Sequence, residues 1–316
     1  MMTPPAGVSE HMTVMVVGGA GFLGSHVVDR FLADGLSVDV VDDLSTGSLS
    51  NLSFARSSAT EGALRIHTLD ATIAEFAEIV RSTRPDVLFV SALLAGSSGE
   101  GTSAVKSFAL AAGVLNAALK ARVGKVVVTL PAAVLYGEVA ARDLPIKEDR
   151  QRHPVGINGV VALAIIELLE MYRRDHGIEF TVLGLATIYG PRQKPQNNVV
   201  SRFIHAHHSS ESPVIHGDGK QTRDFLYVDD AVDAASRACT KGDGLLLHVG
   251  SGQQTSIKDL WTLIGENSMA TVDAKANRGV QRMSLSGSRA RLHLGWTPWT
   301  SLSDGLSATT QAATRT

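Results

Sequence analysis

Three glycines and three acids carry the clearest chemistry in this chain of 316 residues. Gly18, Gly21 and Gly24 lie within Val14-Met15-Val16-Val17-Gly18-Gly19-Ala20-Gly21-Phe22-Leu23-Gly24-Ser25-His26, an apolar run, a glycine turn and a helical stretch. The first glycine allows a tight turn, the second lets backbone approach a pyrophosphate, and the third permits close strand–helix packing. The N-terminus of the following helix adds partial positive charge at the same place. About eighteen residues after Gly24 a second strand ends in Val41-Asp42-Asp43, where an acid can accept from ribose hydroxyls. An acid there repels a 2′-phosphate, and no arginine stands beside it, so the pattern favours NAD over NADP. Asp70, after a third strand, is placed to meet an adenine amine.

The elements that must hold these groups are legible as periodicity. Val14–Val17, Ser37–Val41, Leu64–His67, Asp86–Val90, Lys125–Thr129 and Phe180–Leu185 read as buried parallel strands. Helical stretches near 22–34, 74–82, 103–121 and 159–176 fall between them. Such alternation implies an α/β fold with a doubly wound parallel sheet. After Ala186 the elements shorten, residues 191–225 read as loops around a helix near 199–208, and 245–306 resembles a small α/β unit. Residues 1–12 and 307–316 read as tails.

With 44% hydrophobic and 19% charged residues, the chain can bury a sizeable core. A net charge of −2 gives no electrostatic footprint for nucleic acid. Cys239, the single cysteine, reads as a small buried filler, consistent with a reducing interior. Residues 1–12 lack a basic-then-apolar signal, and Val160–Leu169 is too short to cross a bilayer, so the expectation is a cytoplasmic protein without a membrane partner. His205, His207 and His208 crowd one helix with His216 nearby. Without a cysteine or a well-placed acid they read as a partly exposed helix rather than a metal site.

Several motifs together resemble the extended short-chain dehydrogenase/reductases, and more narrowly the NAD-dependent nucleotide-sugar epimerases and dehydratases. They are Gly18–Gly24, Asp42-Asp43-Leu44-Ser45-Thr46-Gly47, Tyr136-Gly137, Pro145-Ile146-Lys147-Glu148-Asp149, Ile188-Tyr189-Gly190-Pro191-Arg192-Gln193, the run from Gly217 to Asp230, and Leu294-Gly295-Trp296-Thr297-Pro298. The resemblance runs from about residue 13 to 306. It implies a Rossmann domain over 13–185, with a returning segment about 226–250. It also implies a smaller C-terminal α/β substrate domain from 186–225 and 251–306, with the active site between the two. The cofactor-facing residues it implies are Gly18, Gly21, Phe22, Leu23, Gly24, Asp42, Asp43, Ser45, Thr46, Gly47, Asp70 and Ala92.

In that family a Tyr-x-x-x-Lys pair and a Ser or Thr run the reaction. The tyrosine exchanges a proton with the sugar, the lysine lowers its pKa and holds the cofactor ribose, and the hydroxyl orients the substrate. Counting from Tyr172 and His176-Gly177 puts the tyrosine position on Asn158 and the lysine on Ala162. Counting from Tyr136-Gly137 puts the hydroxyl on Ala132, preceded by Pro131. No lysine in this chain follows a tyrosine by four positions. Asparagine does not ionise and alanine has nothing to tune, so the usual proton transfer has lost its groups. Tyr136, Thr129, His153, Lys147 and Tyr189 are the nearest substitutes, with His153 titrating in the useful range.

The resemblance also implies a nucleotide-diphosphate sugar. Arg223 falls where the family places an arginine on the diphosphate, Arg282 or Arg278 supplies a second cation, and Thr187, Asn198 and Val199 border the substrate. The helix near 159–176 is apolar nearly all round over its first two turns, and Ser107–Leu119 within the helix near 103–121 is similarly rich in Ala, Leu and Val. In the family such helices pair with symmetry mates, which suggests a homodimer or a heterodimer with an active paralogue. The leading expectation is an NAD-binding, epimerase-like binding or regulatory subunit. Its rival is an active nucleotide-sugar epimerase or dehydratase that uses His153 or Tyr136.

Overall fold

The computed structural model describes residues 12–94, 101–195, 198–265, 270–273 and 280–314. Seven strands form one parallel sheet: β1 (Thr13–Val17), β2 (Ser37–Asp42), β3 (Leu64–Thr68), β4 (Val87–Val90), β5 (Lys125–Pro131), β6 (Glu179–Leu185) and, far along the chain, β11 (Leu245–Val249). Their spatial order is β11-β6-β5-β4-β1-β2-β3. The order reverses between β1 and β4, and the crevice outside the strand ends at such a reversal is where ligands enter sheets of this kind.

Val, Leu, Met and Phe fill the central strands because both faces are covered, so β1 and β4 carry continuous apolar sequence rather than alternation. On one face lie α1 (Phe22–Ala33), the short α2 (Ser53–Ser58) and, from the returning segment, α8 (Val228–Ala238). On the other lie α3 (Ala74–Thr83), α4 (Gly101–Ala121), the single turn α5 (Ala133–Tyr136) and α6 (Gly156–His176). The expected start of α6 at 159 moves back to Gly156, and Gly177 closes its other end at φ +73°.

Length and apolar composition alone would let α4 span a bilayer. Here its inner side, including Ala104, Leu110, Ala111, Val114 and Leu115, is buried beside α6 and the sheet. Each such leucine or valine contributes on the order of 1.5–3 kcal/mol by leaving water.

The remaining elements are short: β7 (Thr187–Tyr189), α7 (Val199–His208), β8 (Val214–His216), β9 (Thr222–Arg223), β10 (Phe225–Tyr227), β12 (Thr255–Ser256), α9 (Ile257–Gly265), β13 (Thr271–Asp273), α10 (Ser288–Leu294) and α11 (Leu302–Ala313). Tyr189, Phe203, Ile204, Leu260, Trp261 and Leu306 share a separate small core there. The tail expected from 307 is therefore a helix instead, capped by Ser301 on the amide of Asp304 and buried along Leu306 and Thr309. Met12, grouped with the first tail, is also buried, and its carbonyl accepts from the amide of Ser37.

Asp224 ties the late segments together. Its buried carboxylate accepts from the amides of Ser251, Gly252 and Leu285 at 2.8, 3.0 and 3.0 Å, and from the hydroxyl of Ser251. An acceptor in that position satisfies three backbone donors, that of Leu285 fully buried.

Candidate functional site

A cavity of about 600 Å³ opens along the C-terminal ends of the strands, from β2 and β3 across β1 and β4 to β5 and β6. The glycine turn lies between. Gly18 takes φ +84° and donates its amide to the carbonyl of Val41 at 2.8 Å, locking β1 to β2. A Cβ at Gly24 would stand 2.1 Å from the carbonyl oxygen of Gly18, so α1 approaches the turn as closely as backbone permits. Ser91 fixes the turn from below by donating to the carbonyls of Val17 and Gly18.

Asp42 and Asp43 divide their work. Asp42 is buried, and its carboxylate accepts the amides of Ala20 and Leu44, both at 2.8 Å. Burial raises its pKa despite those bonds. Asp43 is partly exposed and accepts from the amide and hydroxyl of Ser45 and from Lys106 Nζ at 3.0 Å. Its burial raises the carboxyl, but Ser45 and Lys106 outweigh that and hold it below the usual range. Lys106, on α4, also reaches Asp70 at 3.0 Å. One ammonium thus spans the two acid-bearing loops that follow β2 and β3. No local signal marks it, because Lys106 is 63 residues from Asp43.

Of the expected cofactor-facing residues, Gly18, Gly21, Phe22, Leu23, Gly24, Asp42, Asp43, Ser45, Thr46, Asp70 and Ala92 line this cavity. Gly47 does not. It packs behind the turn, where a Cβ would meet Ala20 at 2.8 Å. At the β5/β6 end the walls are Leu130, Pro131, Leu185, Ala186 and Thr187, with Leu93 and Leu94 following β4. Gln193, Lys194 and Asn198 close that end, and sequence reasoning missed the first two as cavity residues.

The NAD dependent epimerase/dehydratase family matches residues 14–250. This chain belongs to that family. A UDP-glucose 4-epimerase of Mycolicibacterium smegmatis is 32% identical over 311 residues, covering 95% of this chain and 98% of the relative. A solved UDP-glucose 4-epimerase of Thermotoga maritima, with UDP-glucose, is 32% identical at a TM-score of 0.88, covering 96% of this chain and 99% of that one. The Thermus thermophilus UDP-glucose 4-epimerase, solved with NAD, is 25% identical at 0.85, covering 95% and 98%.

Ala132 and Ala162 are fully buried in the core between the sheet and α6, and neither lines the cavity. The Oδ1 of Asn158 is buried without a hydrogen-bond partner, and Asn158 does not line the cavity either. The substitutes fare no better. Tyr136 is buried, with its hydroxyl 2.8 Å from His248 Nε2. His248 Nδ1 lies 3.1 Å from the carbonyl of Ile146, which can only accept, so Nδ1 donates there and the tyrosine donates to Nε2. Burial raises the Tyr136 hydroxyl to about 12. His153 is exposed in the loop before α6, away from the cavity. Tyr189 is buried with its hydroxyl on the carbonyl of Leu302, and Lys147 is exposed. Thr129 alone of the five lines the cavity, its hydroxyl 3.5 Å from the carbonyl of Val90.

The expected substrate residues separate likewise. Thr187 and Asn198 line the cavity, whereas Val199, Arg223 and Arg282 do not. Asn198 caps α7 through the amide of Ser201 and donates to Ile188 and Gln193, so its side chain is already committed. Arg223 lies in the β9–β12 ribbon and bonds the carbonyl of its own neighbour Thr222 at 2.8 Å, and burial lowers its pKa. Arg282 is exposed, and Arg278 lies outside the described residues.

His248 has a measurable consequence. Burial lowers its pKa from 6.5 to about 4, so the folded chain refuses a proton that the unfolded chain accepts below about 6.5. Stability therefore falls as pH drops through that window, by on the order of 3 kcal/mol for this group. Buried carboxylates with raised pKa, such as Asp42 and Glu148, act in the opposite direction, so the informative quantity is a difference. Urea unfolding of wild type and His248→Asn from pH 7 to pH 4 should show wild type losing ground to the variant. Parallel profiles would contradict a neutral His248.

Proposed function

We propose that this chain binds NAD in the cavity beside Gly18–Gly24 and serves as a binding or partner subunit in nucleotide-sugar metabolism, without ordinary epimerase turnover. The observation that carries this reading is the chemistry of the cavity lining. Among the described residues it contains no tyrosine, histidine or cysteine, and its ionisable groups are Asp42, Asp43, Asp70, Lys106 and Lys194. Three of the four acid–base groups near the ribose end are tied to one another, so they hold rather than exchange protons.

The residues present fit a dinucleotide. Gly24 leaves no room for a side chain beside the turn, Gly21 opens α1 toward the cavity, and Asp42 and Asp43 offer carboxylate oxygens at the ribose end. When bound, NAD would supply a hydride acceptor. The protein's part would be to hold the adenosine and diphosphate and to exclude water along the leucine walls. With Asp42, Asp43 and Asp70 against one lysine, the rim stays net negative, which favours NAD over NADP. The family's nucleotide-diphosphate sugars are the proposed second ligand, with Thr187 at the cavity wall. The test is product formation from UDP-glucose by the full chain supplied with NAD, where no UDP-galactose is expected. His153 and Tyr136 give the active alternative no support, since neither reaches the cavity.

A dimer fits the outer faces of α4 and α6. Val105 and Val160 are 60% and 58% exposed, with Phe108, Leu119, Ile157 and Val155 also exposed. Ile165 and Leu169 are buried within the chain, so a charge there would unfold it rather than separate subunits. Val160→Glu should instead yield a folded monomer by light scattering, with stability changed by about 0.5 kcal/mol or less. A wild-type monomer at micromolar concentration would point to a paralogue as the missing partner.

A further inference from the structure

The two ends of the cavity are chemically unlike, and the sheet order keeps them apart. β2 and β5 are separated by β1 and β4, about 14 Å at ordinary strand spacing. At the β2/β3 end stand Asp42, Asp43, Asp70 and Lys106, with Lys106 clasping Asp43 and Asp70 at 3.0 Å each. At the β5/β6 end the walls are Leu93, Leu94, Leu130, Pro131 and Leu185, all but Pro131 buried. Of the polar side chains described there, Ser107, Thr129, Gln193 and Asn198 are spent on the protein, beside Thr187 and the exposed Lys194. Ser107 accepts the amide of Leu94 and donates to the carbonyl of Ser103, and the amides of Gln193 and Asn198 bond each other and Ile188. Ala162, beneath this end, brings no charge.

We infer that the cavity recognises the adenosine-diphosphate half of its ligand and is indifferent to the nicotinamide, so that NAD+, NADH and ADP-ribose are equivalent ligands. The inference rests on the nucleotide-binding reading above. Recognition of the second half would need hydrogen-bond donors or charge directed at the ring; among the described residues the one charge at that end is Lys194, which is exposed to solvent, and the leucine walls offer contact without discrimination. An anchored adenosine diphosphate and a weakly read ring make this a site for ADP-bearing nucleotides as a class. Lys106 acts as a positioning residue, because it holds the loops bearing Asp43 and Asp70 in one arrangement across the rim.

Isothermal titration of the full-length protein with NAD+, NADH, ADP-ribose and nicotinamide mononucleotide tests this. The expected result is that the first three bind within about threefold of one another and the mononucleotide shows no measurable heat. Lys106→Met should weaken all three by the same factor, roughly three- to tenfold, as expected of a half-exposed ion pair. NAD+ or NADH binding ten times more tightly than ADP-ribose would overturn the inference while leaving nucleotide binding intact. No heat with any of the four would remove the nucleotide reading itself, and this inference with it. A Lys106→Met effect on NAD+ that ADP-ribose does not share would also overturn it, since the lysine would then be acting on the ring.

Discussion

Purified wild-type protein, given NAD and UDP-glucose, is expected to form UDP-galactose at least ~10⁴-fold more slowly than the Mycolicibacterium smegmatis epimerase assayed beside it. Loss of one general acid or base typically costs ~10²–10⁴ in rate, and here, among the described residues, the one ionisable side chain at the β5/β6 end of the cavity is the solvent-exposed Lys194. Asn158 has no ionisable group, and Ala162 and Ala132 are sealed in the core. Asn158→Tyr combined with Ala162→Lys puts both groups on one face of α6, a single turn apart. Because Ala162 is fully buried, its lysine must thread toward the cavity, so adding Ala132→Ser is expected to restore only a small fraction of relative activity. The unmodified protein decides the matter. Turnover by wild type comparable to the relative's, abolished by His153→Ala or Tyr136→Phe but unaffected by Asn158→Ala, would replace the binding-subunit reading with the active one.

The glycine turn should separate binding from folding. Gly21 opens α1 with φ −74°, an ordinary value for any residue, and a Cβ there comes no nearer than 3.2 Å to Gly18. Gly21→Val should therefore fold, while its branched side chain enters the cavity and cuts NAD affinity at least ~100-fold, equivalent to about 3 kcal/mol. Gly24→Val is different. Its Cβ would collide with backbone at 2.1 Å, and the neighbouring atoms at 2.9 Å are backbone as well. Overpacking against groups that cannot rotate away should cost roughly 3 kcal/mol of stability, read as a lower urea midpoint. NAD binding by Gly21→Val at wild-type affinity would place the dinucleotide elsewhere.

Much of this architecture was legible in the residues because it rests on short-range regularities. Six of the seven sheet strands follow from apolar runs punctuated by helical periods; the seventh, β11, does not, since its run reads as the start of a small α/β unit and only the family resemblance returns that segment to the Rossmann domain. The turn at Gly18, the acid at the end of β2 and the composition at 132, 158 and 162 are properties of single positions and neighbours. They survive whatever the rest of the chain does.

What only the tertiary structure decided involves partners far apart in the chain. Tyr136 is a plausible acid until His248, 112 residues away on the edge strand β11, takes its hydroxyl and buries it. Arg223 matches a phosphate-binding pattern, yet its strand pairing turns it onto its own backbone. Nothing in the residues beside Lys106 singles it out, and it is α4 that delivers it to two loops that the sheet order has brought side by side. The small polar residues after 307 look like a tail because the face that covers Leu306 and Thr309 comes from elsewhere in the chain. Periodicity reports which side of an element is apolar. Which group meets which across the sheet depends on strand order and crossover packing, and those are set by the whole chain at once.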